Sequence, residues 1–195
     1  MPKSSPVVRP PRQARTRASW ERVLEAGVDI LESDGYEGLT IAALCDRAGV
    51  TPPTIYARAP SKETLLQAIY EHGSSRVRAV VGLDEATTLR EAVEELARGM
   101  LSEAALLRAM IHRAPVDEYV FRRGSEQSVE LARRFRSAAG GDRRTLDACF
   151  RLAYAAIVQR IVYGPQFESD VPLSDDRFVQ MLGDMAERYC SQERS

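Results

Sequence analysis

Residues 35–62 read GYEGLTIAALCDRAGVTPPTIYARAPSK, and this stretch decides the fold. Ile41, Leu44, Cys45 and Ala48 repeat at helical spacing behind Thr40, whose hydroxyl suits the start of a helix, so a short helix is predicted from that position. Gly49-Val50-Thr51 then makes a turn that needs positive φ, which glycine adopts without a Cβ penalty. Thr51 is placed to cap a second short helix with Pro52 in its first position, where the missing N–H does no harm. Pro53 removes the next donor as well, so the Thr51 hydroxyl is expected to take the amide of Thr54. Arg58-Ala59-Pro60 ends this helix, and Ser61 caps another that opens near Lys62. Two short helices around a tight turn form a DNA-reading unit: the second enters the major groove while the first crosses the phosphate backbone.

Upstream, Trp20, Val23, Leu24, Gly27, Ile30 and Leu31 make one apolar stripe, predicting a helix over 15–33 that Asp34-Gly35 stops, with Gly35 in a left-handed conformation. Residues 1–13 carry four prolines and are expected to be disordered in isolation. Residues 1–17 hold five basic side chains and no acidic one, whereas 63–195 hold 18 basic and 21 acidic, although the whole chain has a net charge of −1. The positive charge is therefore local, as for an end that meets phosphate. Downstream, apolar periodicity and Gly, Pro or Asp breaks predict helices over 62–81, 87–101, 103–113, 116–138, 143–163 and 174–190. No strand-period segment bounded by turns occurs, so the fold class is all-α.

The 195 residues, 44% hydrophobic and 28% charged, support a real core. No run of about 18 apolar residues suggests a membrane span, and the N-terminus lacks an apolar signal region, so a cytoplasmic location is the expectation. Cys45, Cys149 and Cys190 are odd in number and widely spaced, which suits neither a disulfide framework nor a metal site; all three are expected to be small buried hydrophobes. No metal or cofactor is expected. His72 and His112 are the only histidines and no glycine-rich phosphate loop is present, so the residues do not support an enzyme.

Between Leu146 and Val162 the helix pattern is apolar almost all the way round, and such a helix must be covered on every side. A homodimer built as a two-fold four-helix bundle would supply that cover, with Ile157, Ile161, Phe178, Met181, Leu182 and Met185 at the interface. The alternative is a single-chain core with this helix at its centre.

On the DNA side, Pro52, Pro53, Thr54 and Ala57 are the base-facing candidates. Thr54 can donate and accept, and the proline rings and the Ala57 methyl can touch thymine methyls. With no bidentate Arg or Asn, specificity is expected to lean on DNA shape. Thr40, Thr51, Tyr56 and Lys62 are the phosphate candidates: the threonines stand at helix starts, Tyr56 joins an apolar ring to a hydroxyl, and Lys62 sits in a first helical turn, where a cation is favoured only by a nearby anion. Arg9, Arg12, Arg15 and Arg17 form a basic arm suited to the minor groove.

The segment from about Arg17 to Leu66 resembles the N-terminal domain of the TetR family of bacterial transcriptional regulators. The resemblance rests on the amphipathic first helix, Gly35-Tyr36, Thr40, Ala48-Gly49-Val50-Thr51, Tyr56 and Ser61-Lys62-Glu63. It implies a homodimer on a palindromic operator, usually a repressor, with Thr40, Thr51, Tyr56 and Lys62 on phosphate. It also implies a helical C-terminal domain that binds a small effector and dimerises through its last two helices. The organisation is then a basic arm at 1–14, a helix-turn-helix domain at 15–62 and a ligand-binding and dimerisation domain at 63–195. Leu39, Cys45, Pro53 and Ala59 depart from the family pattern, and Ala59 leaves a gap for Trp20 to fill.

Candidate pocket residues are Met100, Leu107, Met110, Ile111, Tyr119, Phe135, Phe150 and Tyr154, with His112, Glu118 or Gln127 as polar anchors, which suits a lipophilic or aromatic molecule. Effector binding is expected to shift the helix that begins at Lys62 and spoil the spacing of the two DNA readers. Oxidation of Cys149 or Cys190 is the alternative trigger. Pro53 and Ala59 motivate an alternative function, a helical interaction protein whose helix-turn-helix is degenerate.

Overall fold

The computed structural model describes residues 14–167 and 170–192, and all regular structure among them is helical. The order is α1 (Ala14–Gly38), α2 (Ile41–Ala48), α3 (Pro52–Tyr56), α4 (Lys62–Val80), α5 (Leu89–Ser102), α6 (Ala104–Arg113), α7 (Glu118–Ala138), α8 (Arg143–Tyr163) and α9 (Asp175–Gln192), with 3-10 turns at Leu83–Glu85 and Ala114–Val116. The chain divides into two compact units between Arg76 and Val77. That boundary lies inside α4 and not at residue 62, because Leu65, Ile69 and Tyr70 are buried and Ile69 lies against α1.

In the first unit, Trp20, Val23, Ala26, Ile30 and Leu31 form the buried stripe of α1. Gly35 interrupts the helix at φ 66°, ψ −165°. Its φ is positive as expected, but its ψ takes it out of the left-handed helical region, and a helical turn resumes as far as Gly38. Thr40 caps α2 by accepting from the Ala43 amide at 3.1 Å. At the other end Gly49 is left-handed (φ 62°, ψ 44°) and Val50 N–H reaches the Cys45 carbonyl. Leu44 and Ala48 are buried, while Ile41 and Cys45 are half-buried. Ser61 caps α4 through the Thr64 amide at 3.1 Å. α1 and α4 meet at Gly27, where an added Cβ would lie 2.5 Å from Ile69 Cδ1. Around this contact His72 Nε2 lies 2.9 Å from Glu25 Oε1, and Arg76 pairs with Glu32.

Ala59 is fully buried at the end of α3. Trp20 is buried, but Arg58 is buried with it, its guanidinium 5.7 Å from the centre of the Trp20 ring. Arg58 Nη2 donates to the Thr16 carbonyl at 3.0 Å. A residue that reads as a helix terminator is thus part of the core.

In the second unit α8 is the central helix. Its Leu146, Cys149, Phe150, Ala153, Ile157 and Ile161 share one apolar cluster with Val93, Leu96 and Met100 of α5 and with Phe178, Val179, Leu182 and Ala186 of α9. α5 opens on a capping box of Thr88 and Glu91. Hydrogen bonds from Thr87 and Thr88 hold the Glu91 carboxyl below the usual carboxylate range. Arg90 of α5 reaches Asp184 at 2.6 Å and Glu187 at 2.7 Å on α9. Arg160, with its side chain 8% exposed, donates to the Leu173 carbonyl and to Asp175, both at 2.7 Å, while stacking 4.6 Å over Phe178. That clamp fixes the entry into α9. Among the described residues no helix is long and apolar enough to cross a membrane.

Two outcomes follow for stability. A Cβ at Gly99 would stand 2.7 Å from Val81 Cα and 2.8 Å from the Val80 carbonyl, which are backbone atoms that cannot swing aside. Gly99→Ala should therefore destabilise the protein by about 1–3 kcal/mol in urea unfolding, as overpacked cores do. Arg160→Leu should cost about 1–3 kcal/mol by removing the charge-assisted hydrogen bonds to the Leu173 carbonyl and to Asp175. An unchanged midpoint for Arg160→Leu would show that the clamp stabilises nothing.

Candidate nucleic-acid interface

α3 is seated by one side chain and exposed by the others. Ile55 is fully buried; Thr51, Pro52, Pro53 and Ala57 are exposed, Thr54 is half-buried and Tyr56 is 48% exposed. Thr40 and Lys62 are exposed as well. The Thr40 oxygen accepts from Ala43, so its hydroxyl proton remains available to an anion.

The expected cap on α3 is not made. Thr54 N–H donates to the Thr51 carbonyl at 2.9 Å, and the Thr51 side chain bonds no amide. The Thr51 and Thr54 hydroxyl oxygens lie 3.2 Å apart instead. Pro52 and Pro53 lack N–H groups and the third amide is taken by a carbonyl, so an anion at this end cannot be held by the first amides of α3. The side-chain donors at this end are the hydroxyls of Thr51 and Thr54.

The arm residues Arg9 and Arg12 lie outside the described residues, as does the side chain of Arg15. Arg17 lies within α1, not on an arm, and is paired with Glu21 at 3.1 Å, which offsets its charge. Sequence spacing missed Arg22, whose Nε donates to the Ala48 carbonyl at 3.2 Å and ties α1 to the end of α2. The partners are far apart in sequence, and no local pattern announces them.

In the second unit the expected pocket residues are largely core. Phe135 and Phe150 are 5.5 Å apart between ring centres, and Phe150 stacks on Tyr154 at 5.5 Å. Met100 belongs to the same cluster, with Leu107, Ile111 and Tyr154 packed half-buried against it. Burial raises the pKa of the Tyr154 hydroxyl. Met110 is buried outside that cluster, and Tyr119 carries Arg122 over its ring at 5.9 Å. His112 and Glu118 are exposed, and Gln127 is half-buried. Of the expected dimer residues, Ile157, Ile161, Phe178 and Leu182 are buried in their own chain's core and cannot face a partner. Met181 and Met185 remain exposed, joined by Leu152 (66% exposed) and Tyr189. Arg143, Arg144 and Arg151, with Asp147 and Ala148, line a shallow groove of about 520 Å³ on α8 that sequence reading did not single out. Cys149 is buried and Cys45 half-buried.

Similarity to known proteins follows the same division. Residues 23–69 match the sequence profile described as bacterial regulatory proteins, tetR family. The A-factor receptor protein of Streptomyces griseus is 33% identical over 66 residues, which are 34% of this chain and 24% of that protein. The nucleoid occlusion factor SlmA of Marinobacter nauticus is 32% identical over 83 residues, 42% of this chain and 43% of that one. The chain thus spans less than half the length of these curated relatives. Among solved structures, the TetR family transcriptional regulator PfmR from Thermus thermophilus aligns with a TM-score of 0.61 at 17% identity, covering 86% of this chain and 97% of that one. A cysteine-substituted form of the TetR family regulator CifR, complexed with a 26-base-pair operator, aligns at 0.62 and 22% identity, covering 92% and 98%. At such identities these structures share the fold. The matched segment begins in α1 and ends in α4, enclosing the turn at Gly49 and all of α3. The similarity to the tetR family of bacterial regulatory proteins is thus carried by this N-terminal domain.

Proposed function

We propose that the protein is a transcriptional regulator that binds a palindromic operator as a homodimer, acts as a repressor, and is released by a small lipophilic or aromatic effector. The observation that carries this is the exposed edge of α3, set on the buried Ile55 and flanked by the exposed hydroxyls of Thr40, Thr51 and Tyr56 and by Lys62. A short helix presenting its first residues while neighbouring groups meet phosphate is the geometry of major-groove docking. The operator complex of CifR supports the same use of this fold. Such a regulator works in the cytoplasm, where bacterial DNA lies.

Leu152, Met181, Met185 and Tyr189 support the homodimer, because they leave an apolar stripe on α8 and α9 for a second copy to cover. The effector would bind where Leu107, Ile111 and Tyr154 are only half-buried against the aromatic ladder, and α4 is the continuous helix through the boundary of the two units. Moving DNA occupancy from 99:1 to 1:99 requires about 10⁴-fold tighter effector binding to the released state. A degenerate helix-turn-helix is not favoured, since Gly49 holds the turn and α3 forms despite Pro53 and Ala59. Burial of Cys149 disfavours its oxidation as the trigger.

A gel shift on DNA flanking the protein's own gene, across a salt series, tests the reading: affinity should fall steeply with salt, and no shift at any salt would reject it. Lys62→Ala should weaken binding to all sequences about equally and lower the salt slope by about one, and Tyr56→Phe should weaken all sequences about three- to tenfold. A sequence-selective loss in either variant would contradict the phosphate assignment. Met185→Arg should convert the dimer to monomer in sedimentation velocity, with DNA affinity lost in parallel; a dimer that persists would move the interface elsewhere.

A further inference from the structure

The start of α3 has an unusual inventory of hydrogen-bonding groups. Pro52 and Pro53 contribute no N–H, and the Thr54 amide is committed to the Thr51 carbonyl. The side-chain polar groups on this edge are two hydroxyls, Thr51 Oγ1 and Thr54 Oγ1, 3.2 Å apart, and either can be the donor. Each hydroxyl has one proton and two lone pairs, so the bond between them uses one of the two protons.

A phosphate decides which. Phosphate oxygens only accept, so a Thr51 that touches phosphate must give it its own proton. Thr51 Oγ1 can then only accept from Thr54. That commits the Thr54 proton, leaving the Thr54 oxygen with lone pairs alone. The opposite arrangement, Thr51 donating to Thr54, leaves Thr51 nothing to donate and sets its lone pairs against the anion.

We propose that Thr54 reads the major groove solely as a hydrogen-bond acceptor, its polarity fixed by Thr51, and that this edge is matched to an adenine–thymine pair. The inference rests on the DNA-binding reading above. An acceptor pairs with the amino groups of adenine N6 or cytosine N4, and it is repelled by guanine O6 and N7 and by thymine O4. Between the two amino-bearing bases the surroundings choose. The exposed Pro53 ring and Ala57 methyl, with the Thr54 methyl, make an apolar surface around the hydroxyl. An adenine–thymine pair offers the amino group and a methyl together, whereas a cytosine–guanine pair offers the amino group alone. Thr51 therefore shapes sequence preference while touching only phosphate.

The test begins by selecting bound duplexes from a randomised pool with the full chain. The position whose preference changes in Thr54→Val identifies the contacted pair, and it should be adenine–thymine. There, the purine analogue lacking the N6 amino group should weaken wild-type binding about three- to tenfold. Uracil in place of thymine should weaken it about fourfold, while 7-deazaadenine, which lacks only the N7 acceptor, should bind as adenine does. Thr54→Val should lose the response to the missing amino group and keep the response to the missing methyl. Thr51→Val frees the Thr54 proton, so sensitivity to 7-deazaadenine should appear, whereas Thr51→Ser should keep the wild-type pattern. A wild type weakened by 7-deazaadenine and not by loss of the amino group would overturn the proposal, as would a guanine contact or a Thr51→Val that weakens all sequences equally. The analogue series on the wild-type chain stands even if a variant fails to fold. A wild type that enriches no sequence would reject the DNA-binding reading itself, and that result is distinct from a motif of the wrong polarity.

Discussion

A helix of five residues cannot hold itself. Nucleation fixes several residues for a single hydrogen bond, and isolated helices become stable only at about 12–15 residues or more. α3 therefore exists because its neighbours impose it. Ile55 is fully buried, and burying such a side chain is worth about 1.5–3 kcal/mol. Gly49 turns the chain into α3 in a left-handed conformation, and Arg58 and Ala59 draw its exit into the core, with Arg58 lying over Trp20 and bonded to the start of α1. The close approach of α1 to α4 at Gly27 supports that arrangement from behind. With every stabilising group on the inner side, the outer edge is free to carry groups chosen for their chemistry.

The parts of this design that are local were legible in the sequence. Thr40 and Ser61 cap the helices they precede, Gly49 adopts the conformation its position demands, and the later helices begin and end within a few residues of the breaks that Gly, Pro and Asp signal. The failures are of another kind. Thr51 lost its capping role because two consecutive prolines leave the helix a single early amide, and a backbone carbonyl took it. Arg58 read as a terminator because burial of a guanidinium depends on a carbonyl and an indole far away in the chain. On α9, Phe178, Leu182 and Ala186 form one stripe, and Met181, Met185 and Tyr189 form its neighbour. Both repeat at four-residue spacing. Periodicity finds the stripes, and only the packing of α5 and α8 decides which one is inside.

The second unit is organised by a similar division between core and edge. An aromatic ladder and the residues of α5, α8 and α9 fill its centre, while the guanidinium groups of Arg90 and Arg160 fasten α9. Of the pocket residues expected from the sequence, Met100, Phe135 and Phe150 fill this core and Leu107, Ile111 and Tyr154 pack against it, because a pocket lining and a core have the same composition. An effector acting here would compete with packing, and its leverage on DNA binding is limited by its difference in affinity for the two states.

The central claim is that the rim of α3 faces the major groove and that two copies present it to one duplex. Hydroxyl-radical footprinting of the full chain on a selected duplex tests it most directly. The account predicts two protected half-sites on one face of the DNA, centred about 34–36 Å apart, or one helical turn. A single protected patch would contradict the paired reader, and a duplex cleaved uniformly at every salt concentration would contradict the interface altogether.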